Sequence, residues 1–524
     1  MRKGKKIVSA MMMAAMMMST LLTACGSAEE ASGSSAEKET AKEVVSEEAA
    51  AAETVVEEAA PEVQELEPVE LVVFINQFTG TDDAVVAEAV NNLDAVKDLN
   101  VTVKFKTLNE GDNFFNEVDL ALVSGEKIDI IMGDSGASHF PVASADGAYA
   151  DLTELLQTKY TTLYNTLRED HWKAATVNGA IYGVPCYKEG CLKWGFYIPH
   201  DFVEKYDIDL SGRTIFEIDD ILEKLKEDGR EGLMLTYSQA SWYMGSAYQA
   251  KYRNLYGNLA CMSIENPGTV ENWFMTDTYR ELAHQAKEWY EKGYLPEDIL
   301  TVENFDVEKF DADVFGLETV TYFPGREYQE SANRGFELDF LAMTPYINVL
   351  DDPGWVQTIT SSCEDVDRAL AFLEVLNTVP EVKNTFTYGV EGVHYDLTEA
   401  GQVDYTNYPD HADVWNGDSS RMGNMLIGYS PVGFPEEGYA IFDEAMEEAV
   451  DIPTIGFRAN TESISNEYAA MTAIVSEYNN LLLSGTVEDV DATVDEFVAK
   501  LEAAGAQKVL DEIQAQWDAF EASK

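Results

Sequence analysis

From Val69 onward the chain alternates between apolar runs of strand length and amphipathic segments of helix length, and this alternation restricts the fold more than any other feature. Glu70 to Phe78 (ELVVFINQF) is a strand-length run, followed by the turn-like Thr79-Gly80-Thr81-Asp82 and an apolar-periodic helix from about Asp83 to Lys97. Val101 to Leu108 predicts a second strand and Gly111 to Ser124 a second helix. Ile128 to Met132 predicts a third strand, ending at Gly133-Asp134-Ser135. Strand, helix, strand, helix, strand is the pattern of a parallel α/β sheet with right-handed crossovers. Ligands in such sheets sit beyond the carboxyl ends of the strands. That rule singles out Asn76, Gln77 and Phe78 after the first strand, and Asp134 and Ser135 after the third.

Helices are expected near Leu152 to Gln157 and Leu163 to Ala175, before the turn-and-strand segment Asn178 to Pro185. A fresh set of elements then begins: strand Trp194 to Ile198, helices Phe202 to Tyr206 and Ile215 to Glu227, strand Gly232 to Tyr237, and helix Tyr279 to Lys292. Strand-like runs recur at Phe315 to Phe323 and Leu338 to Met343. Helix is expected at Asp365 to Leu376, Ile464 to Ser484 and Val487 to Phe520, the last broken near Gly505. Roughly 455 ordered residues exceed what one hydrophobic core usually supports, so at least two lobes are expected.

The N-terminus has a different character. A basic stretch (Arg2, Lys3, Lys5, Lys6) precedes an uncharged run from Ile7 to Ala24 that ends at Leu22-Thr23-Ala24-Cys25. The run is Met-rich and only 18 residues long, which is marginal for a spanning helix and suited to a signal peptide. Its end resembles the bacterial lipoprotein lipobox, in which diacylglycerol is attached to the cysteine thiol and cleavage makes that cysteine the new N-terminus. Each buried methylene of an acyl chain contributes roughly 0.8 kcal/mol, so an acylated Cys25 would hold the protein to a membrane surface. Gly26 to Pro68 carries 13 glutamates, two lysines and no aromatic residue, a composition suited to a tether rather than a core.

Removal of residues 1–24 takes four positive charges away and moves the formal charge from -60 to -64. So acidic a surface, with no basic stripe, excludes nucleic acid as a partner. After Cys25 the cysteines are Cys186, Cys191, Cys261 and Cys363, too few for a disulfide framework. Cys186 and Cys191 can close a small loop, or pack as free apolar thiols. The six histidines are scattered without metal-ligand spacing, so neither a metal nor any other cofactor is expected.

Taken together, the lipobox, the strand entry Tyr182-Gly183-Val184-Pro185, the segment Tyr388-Gly389-Val390-Glu391-Gly392 to Tyr395, and Gly456-Phe457 before the last helices resemble extracellular solute-binding lipoproteins of ABC importers. The similarity is to the oligosaccharide-binding branch, and the C-terminal stretch looks like the domain that ends many such lipoproteins in Gram-positive gut bacteria. This resemblance implies an α/β bilobal periplasmic-binding-protein-like fold (type II), with two lobes joined by a multi-segment hinge and a ligand held in the cleft between them. The divisions it implies are a signal peptide (1–24), a lipidated Cys25 with an acidic tether (25–68) and the N-terminal part of lobe 1 (69–185). Lobe 2 (186–345), the hinge return with completion of lobe 1 (346–455) and a C-terminal helical region (456–524) follow. The first crossing is expected near Val184 to Lys193 and the second near Ala342 to Val356, with lobe 1 completed after Thr358. The implied partners are a small-molecule ligand, an oligosaccharide above all, the membrane through the lipid anchor, and ABC permease subunits. The protein is expected to act as a monomer on the extracellular face of the cell membrane.

Sugar sites pair flat aromatic surfaces with directional polar groups. On that chemistry the candidate ligand-binding residues are Gln77, Phe78, Asp134, Ser135, Tyr187, Lys188, Trp242, Tyr243, Phe323, Arg326 and Trp355. Each aromatic in that set serves equally well as core packing. Trp415, Arg421, Gly423 and Asn424 form a separate patch whose role is structural or binding, and Glu391 is open in the same way. A glycosidase would also carry acidic and aromatic residues in a cleft. The chain, however, has no Gly-x-Ser-x-Gly elbow, no His-Glu-x-x-His and no phosphate-cradling loop, so no catalytic residue is assigned. A surface glycan adhesin and a peptide or amino-sugar binder are the remaining alternatives.

Overall fold

The computed structural model describes residues 67–76, 81–108, 112–136, 139–209, 212–234, 251–300, 311–415, 417, 419–435 and 437–524. In chain order its principal elements begin with β1 (Val69–Asn76), α1 (Asp83–Asn91), β2 (Val101–Leu108), α2 (Asp112–Ser124), β3 (Ile130–Ser135), α3 (His139–Ala145) and α4 (Glu169–Ala174). Next come β4 (Gly183–Pro185), β5 (Cys191–Pro199), α5 (Asp219–Glu227), β6 (Leu233–Met234) and α6 (Asp277–Lys292). They are followed by β7 (Leu317–Tyr322), α7 (Arg326–Arg334), β8 (Leu338–Ala342), β9 (Trp355–Ile359) and α8 (Val366–Thr378). The chain ends in α9 (Ser465–Leu483), α10 (Val490–Ala503) and α11 (Ala506–Ser523).

The first sheet has the order β2-β1-β3-β9-β4. β1 pairs in parallel with β2 and β3, as the alternation of strand and helix requires. Leu71, Val73 and Ile75 enter one core together with Ile130 and Met132, while Phe74 and Ile131 enter a second core on the opposite face. Burial on both faces explains why these strands read as nearly continuous apolar runs. The sheet is mixed, however: β9 runs antiparallel to β3 and to β4. The parallel arrangement expected for the first three strands is present, and the sheet is extended by a strand that returns antiparallel from much later in the chain.

The second sheet has the order β8-β5-β7-β6, with β5 antiparallel to both β7 and β8. Its core joins Phe196 and Ile198 of β5 to Ile221, Leu222 and Leu225 of α5 and to Leu282, Ala286 and Trp289 of α6. The same core contains Met471, Leu482, Phe497, Val509 and Trp517, so α9, α10 and α11 close over the second sheet rather than forming an appendage.

Local chemistry accounts for most element boundaries. Thr276 Oγ1 accepts from Tyr279 N at 3.2 Å to start α6, and Asp489 Oδ1 accepts from Ala492 N at 3.0 Å to start α10. Gly505, at φ 107°, separates α10 from α11 where the break is expected. The helix expected from Asp83 to Lys97 divides into α1 and a short helix over Asp94–Lys97, because Leu93 is extended between them. The helix expected from Leu163 to Ala175 divides into Thr161–Thr166 and α4, with Leu167 and Arg168 extended between them. Ile215 to Glu227 begins as a 3-10 turn over Ile215–Glu217, closed by a capping box between Thr214 and Glu217.

Two connections join the sheets. One leaves β4 at Pro185 and enters β5 at Cys191; the other leaves β8 at Ala342 and enters β9 at Trp355. The second pairs briefly with β5 through Ile347 and Asn348.

Candidate functional site

The carboxyl ends of β1 and β3 converge on a polar cluster. Asn76 is fully buried and donates from Nδ2 to Gly133 O at 2.9 Å, while its Oδ1 has no hydrogen-bond partner among the described residues. Gly133 is required at that approach: it adopts φ 80°, and a Cβ there would lie 3.1 Å from Asn76 Cβ. One step further, Asp134 faces inward. Tyr149 OH donates to its Oδ2 at 2.5 Å, and His139 Nδ1 lies 2.7 Å from its Oδ1. His139 Nε2 reaches Asp119 at 3.1 Å. Burial opposes the imidazolium, but Asp134 and Asp119 outweigh it and raise the His139 pKa above the ordinary value. Burial and the Asp134 charge push the Tyr149 phenol well up.

Ser135 is the register partner of Trp355 across β3 and β9. The half-buried indole of Trp355 lies beneath the Arg421 guanidinium, 4.6 Å from centroid to Cζ. Of the sequence candidates, Ser135 and Trp355 thus stand side by side at the end of the first sheet, joined by Arg421 and Asn76.

The two connections between the sheets line a half-open cavity of about 250 Å³, whose walls include His171, Lys188, Glu189, Trp194, Arg253 and Asp352. Lys188 Nζ contacts Glu189 Oε1 at 3.0 Å. Arg253 holds Asp351 through Nη2–Oδ1 at 2.5 Å and Nε–Oδ2 at 3.1 Å. His171 is 1 % exposed, and neither ring nitrogen has a hydrogen-bond partner among the described residues. Burial, reinforced by the Arg168 charge, lowers its pKa to about 4. Burial raises the Asp352 carboxyl despite a hydrogen bond from Gly354 N. Tyr187 stands at the edge of this region with its ring against His171 at 4.9 Å. Its hydroxyl donates to Asp443 Oδ1 at 2.9 Å, and burial followed by that contact pushes its pKa up to about 12.

Phe323 and Arg326 follow β7. Phe323 packs against Phe442 at 5.8 Å beside Met425, Phe434 and Tyr439, and Arg326 lies 5.5 Å from the Phe323 ring while donating to Thr321 O at 2.7 Å. Gln77, Phe78, Trp242, Tyr243 and the lipidation candidate Cys25 lie outside the described residues. Cys186 and Cys191 are buried free thiols. Among the described residues no three His, Cys, Asp or Glu side chains are grouped to hold a metal ion, and no helix is long and apolar enough to cross a membrane.

Several cavity residues escaped the sequence reading: His171, Trp194, Arg253, Asp351 and Asp352. They come from separate segments and share no local motif. The turn-like Asp351-Asp352-Pro353-Gly354 immediately before Trp355 was the one available signal.

Two α/β sheets with separate cores, linked by paired connections around a cavity, define the fold of the bilobal solute-binding proteins. Comparison with known proteins bears this out, along with the resemblance to solute-binding proteins of ABC importers. The chain is 28% identical over 410 residues to a Streptococcus pneumoniae protein named carbohydrate ABC transporter substrate-binding protein, covering 76% of this chain and 80% of that one. It superposes on the crystal structure of the N-glycan transport solute binding protein NgtS from S. pneumoniae with a TM-score of 0.74 and 24% identity, over 87% of this chain and 99% of that one. Against NgtS in complex with Man5GlcNAc the TM-score is 0.63, at 24% identity and the same coverage. Residues 453–522 match a family model described as a domain of unknown function, DUF3502.

Proposed function

We propose that this protein is the substrate-binding component of an ABC importer, capturing an extracellular oligosaccharide between its two lobes and delivering it unaltered to membrane permease subunits. The observation that carries this reading is the pair of connections between two separately cored sheets, with Trp355, Arg421 and Ser135 at the end of one sheet and a cavity beside them. Such a hinge lets ligand contacts shift the balance between open and closed forms. The carbohydrate relative supports the ligand class. Trp355, Ser135, Tyr187, Lys188, Phe323 and Arg326 are the described residues proposed to contact ligand, with Gln77, Phe78, Trp242 and Tyr243 completing the set. Asp134 acts through the position it gives to the end of β3. Cys25 carries the lipid that holds the protein, as a monomer, to the outer face of the membrane, and no catalytic step is assigned.

A thermal-shift screen of mono- and oligosaccharides against short peptides tests the reading. A ligand present at about 100 times its dissociation constant adds about 2.7 kcal/mol to stability. Stabilisation by peptides with none by sugars would reject the carbohydrate assignment.

A further inference from the structure

Lys383 is fully buried on the helix Pro380–Tyr388, although Val382 and Phe386 of the same helix belong to the hydrophobic core of the first sheet. Taking an ammonium out of water is costly unless its protons find acceptors. Nζ donates to Thr387 Oγ1 at 2.8 Å, to Ser419 O at 3.1 Å and to Met422 O at 2.5 Å, which matches the three donors of an ammonium. A methionine of similar length would fill the space without the cost of a buried charge. Retention of the charge therefore points to an arrangement that the ammonium specifies.

That arrangement is a turn. Convergence of the Ser419 and Met422 carbonyls on one nitrogen fixes Ser420 and Arg421 between them. Arg421 leaves the turn along the end of β3, where a Cβ on Gly133 would lie 3.8 Å from Arg421 Cβ, and its guanidinium carbon stands 4.6 Å from the Trp355 ring centroid. The chain beyond the turn is held as well. Gly423, at φ 68°, passes so near the helices that a Cβ there would be 3.1 Å from Leu376 Cγ and 3.4 Å from Lys383 Cδ. Tyr187 N donates to Gly423 O at 3.1 Å, Met425 N donates to Tyr187 O at 2.7 Å, and Asn424 Nδ2 donates to Asn377 O at 3.2 Å. Trp415 is anchored too, its Nε1 donating to Phe386 O and Thr387 O at 3.2 Å each. Of the patch left open between structure and binding, Arg421 is thus the member whose side chain reaches a proposed ligand contact.

From these observations we infer that Lys383 is a positioning residue for ligand binding: its ammonium holds the Ser419–Met422 turn so that Arg421 orients the Trp355 ring. The inference rests on the reading of Trp355 as a contact to an oligosaccharide. Fully buried, Lys383 acts through the turn and not by touching ligand.

The test uses the full mature chain labelled with fluorotryptophan. Among its eight tryptophans, Trp355 is identified by the fluorine NMR signal that Trp355→Phe lacks. Spectra without ligand are compared for wild type, Arg421→Gln, Lys383→Met and Thr387→Val, the last of which removes one acceptor of the ammonium while keeping side-chain volume. The Trp355 signal of Lys383→Met should move in the direction it takes in Arg421→Gln, and that of Thr387→Val in the same direction by less. A panel of neutral oligosaccharides that includes Man5GlcNAc is then screened, and a member that stabilises wild type is titrated calorimetrically. Lys383→Met should weaken its binding by about three- to tenfold, but by less than about twofold when made in the Arg421→Gln background, because both substitutions act through one contact. Should Lys383→Met not fold, Thr387→Val carries both comparisons, with smaller effects in the same pattern. With sugar bound, an unmoved Trp355 signal, or equal losses of affinity in the two backgrounds, would overturn the inference while the oligosaccharide reading stands. Failure of every sugar in the panel to bind wild type would remove that reading and the role of Lys383 in binding with it.

Discussion

Arg421 stacks on Trp355, its guanidinium carbon 4.6 Å from the ring centroid, at the point where the chain re-enters the first sheet opposite Ser135. The contact orients the indole and leaves the ring half-buried rather than enclosed. An ordered, partly open aromatic face is what a sugar ring stacks on.

Trp355→Ala should therefore weaken binding of whichever sugar the screen identifies by up to about tenfold, since a stacking contact on an aromatic face contributes on the order of 0.5–1.5 kcal/mol. The melting temperature without ligand should fall modestly, because the substitution also removes the contact with Arg421. Calorimetric titration checks the first expectation and a thermal melt the second. Unchanged affinity would take Trp355 out of the site.

Two histidines should give the stability opposite pH dependences. His171 has a folded-state pKa lowered to about 4 from an ordinary value near 6.5, so between those values the unfolded chain binds a proton that the folded chain does not. Its burial therefore costs increasing stability as pH falls from about 6.5 towards 4, up to about 3 kcal/mol. His139 has a raised pKa, and its favourable contribution is fully present below about 6.5 and lost as pH rises through its folded-state value. Urea denaturation across pH 4.5 to 8 should show His171→Gln gaining on wild type towards acid. His139→Gln should fall furthest behind wild type in acid and approach it towards alkali. Parallel profiles for the two variants would contradict both assignments.

The last three helices should behave as part of the second sheet's core. Phe497 is fully buried, with ring contacts to Phe274 at 5.5 Å and Tyr478 at 5.2 Å. Phe497→Ala should lower unfolding stability by about 3–5 kcal/mol through lost burial and the cavity left behind. A denaturation midpoint close to that of wild type would mean that these helices contribute little to the fold.

The parts of the fold that sequence made legible are those in which local pattern and tertiary environment agree. β1 and β3 read as strands because both faces are buried, β2 because apolar residues alternate with exposed polar ones, and Gly505 marked a helix break because its φ of 107° favours glycine. The interruptions at Leu93 and at Leu167 to Arg168 were invisible, because apolar periodicity continues through residues whose backbone is extended. The antiparallel return of β9 was hidden for another reason: its partner strands lie far upstream, at β3 and β4. Among the proposed site residues, Ser135 is singled out by the strand-end rule and Trp355 by its place beside a crossing. His171, Trp194, Arg253 and Asp352 are brought together only by tertiary folding, across a span of sequence that no motif bridges.

The Arg253–Asp351 pair makes a final prediction about the hinge. Both side chains are nearly buried, 11% and 10% exposed, and Thr454 Oγ1 also donates to Asp351 at 3.1 Å. Arg253 comes from the strand Tyr252–Tyr256, whereas Asp351 sits on the returning connection, so the pair fastens one to the other. Removing one partner strands a desolvated charge, at a cost of about 3–5 kcal/mol. Arg253→Met and Asp351→Leu should each be destabilising by that order, whereas the double variant, which leaves neither charge unpaired, should recover most of the loss. A double-mutant cycle by chemical denaturation measures the coupling directly. Additive effects of the two substitutions would mean that the pair does not act as a unit, and that Thr454 or solvent supports Asp351 without Arg253.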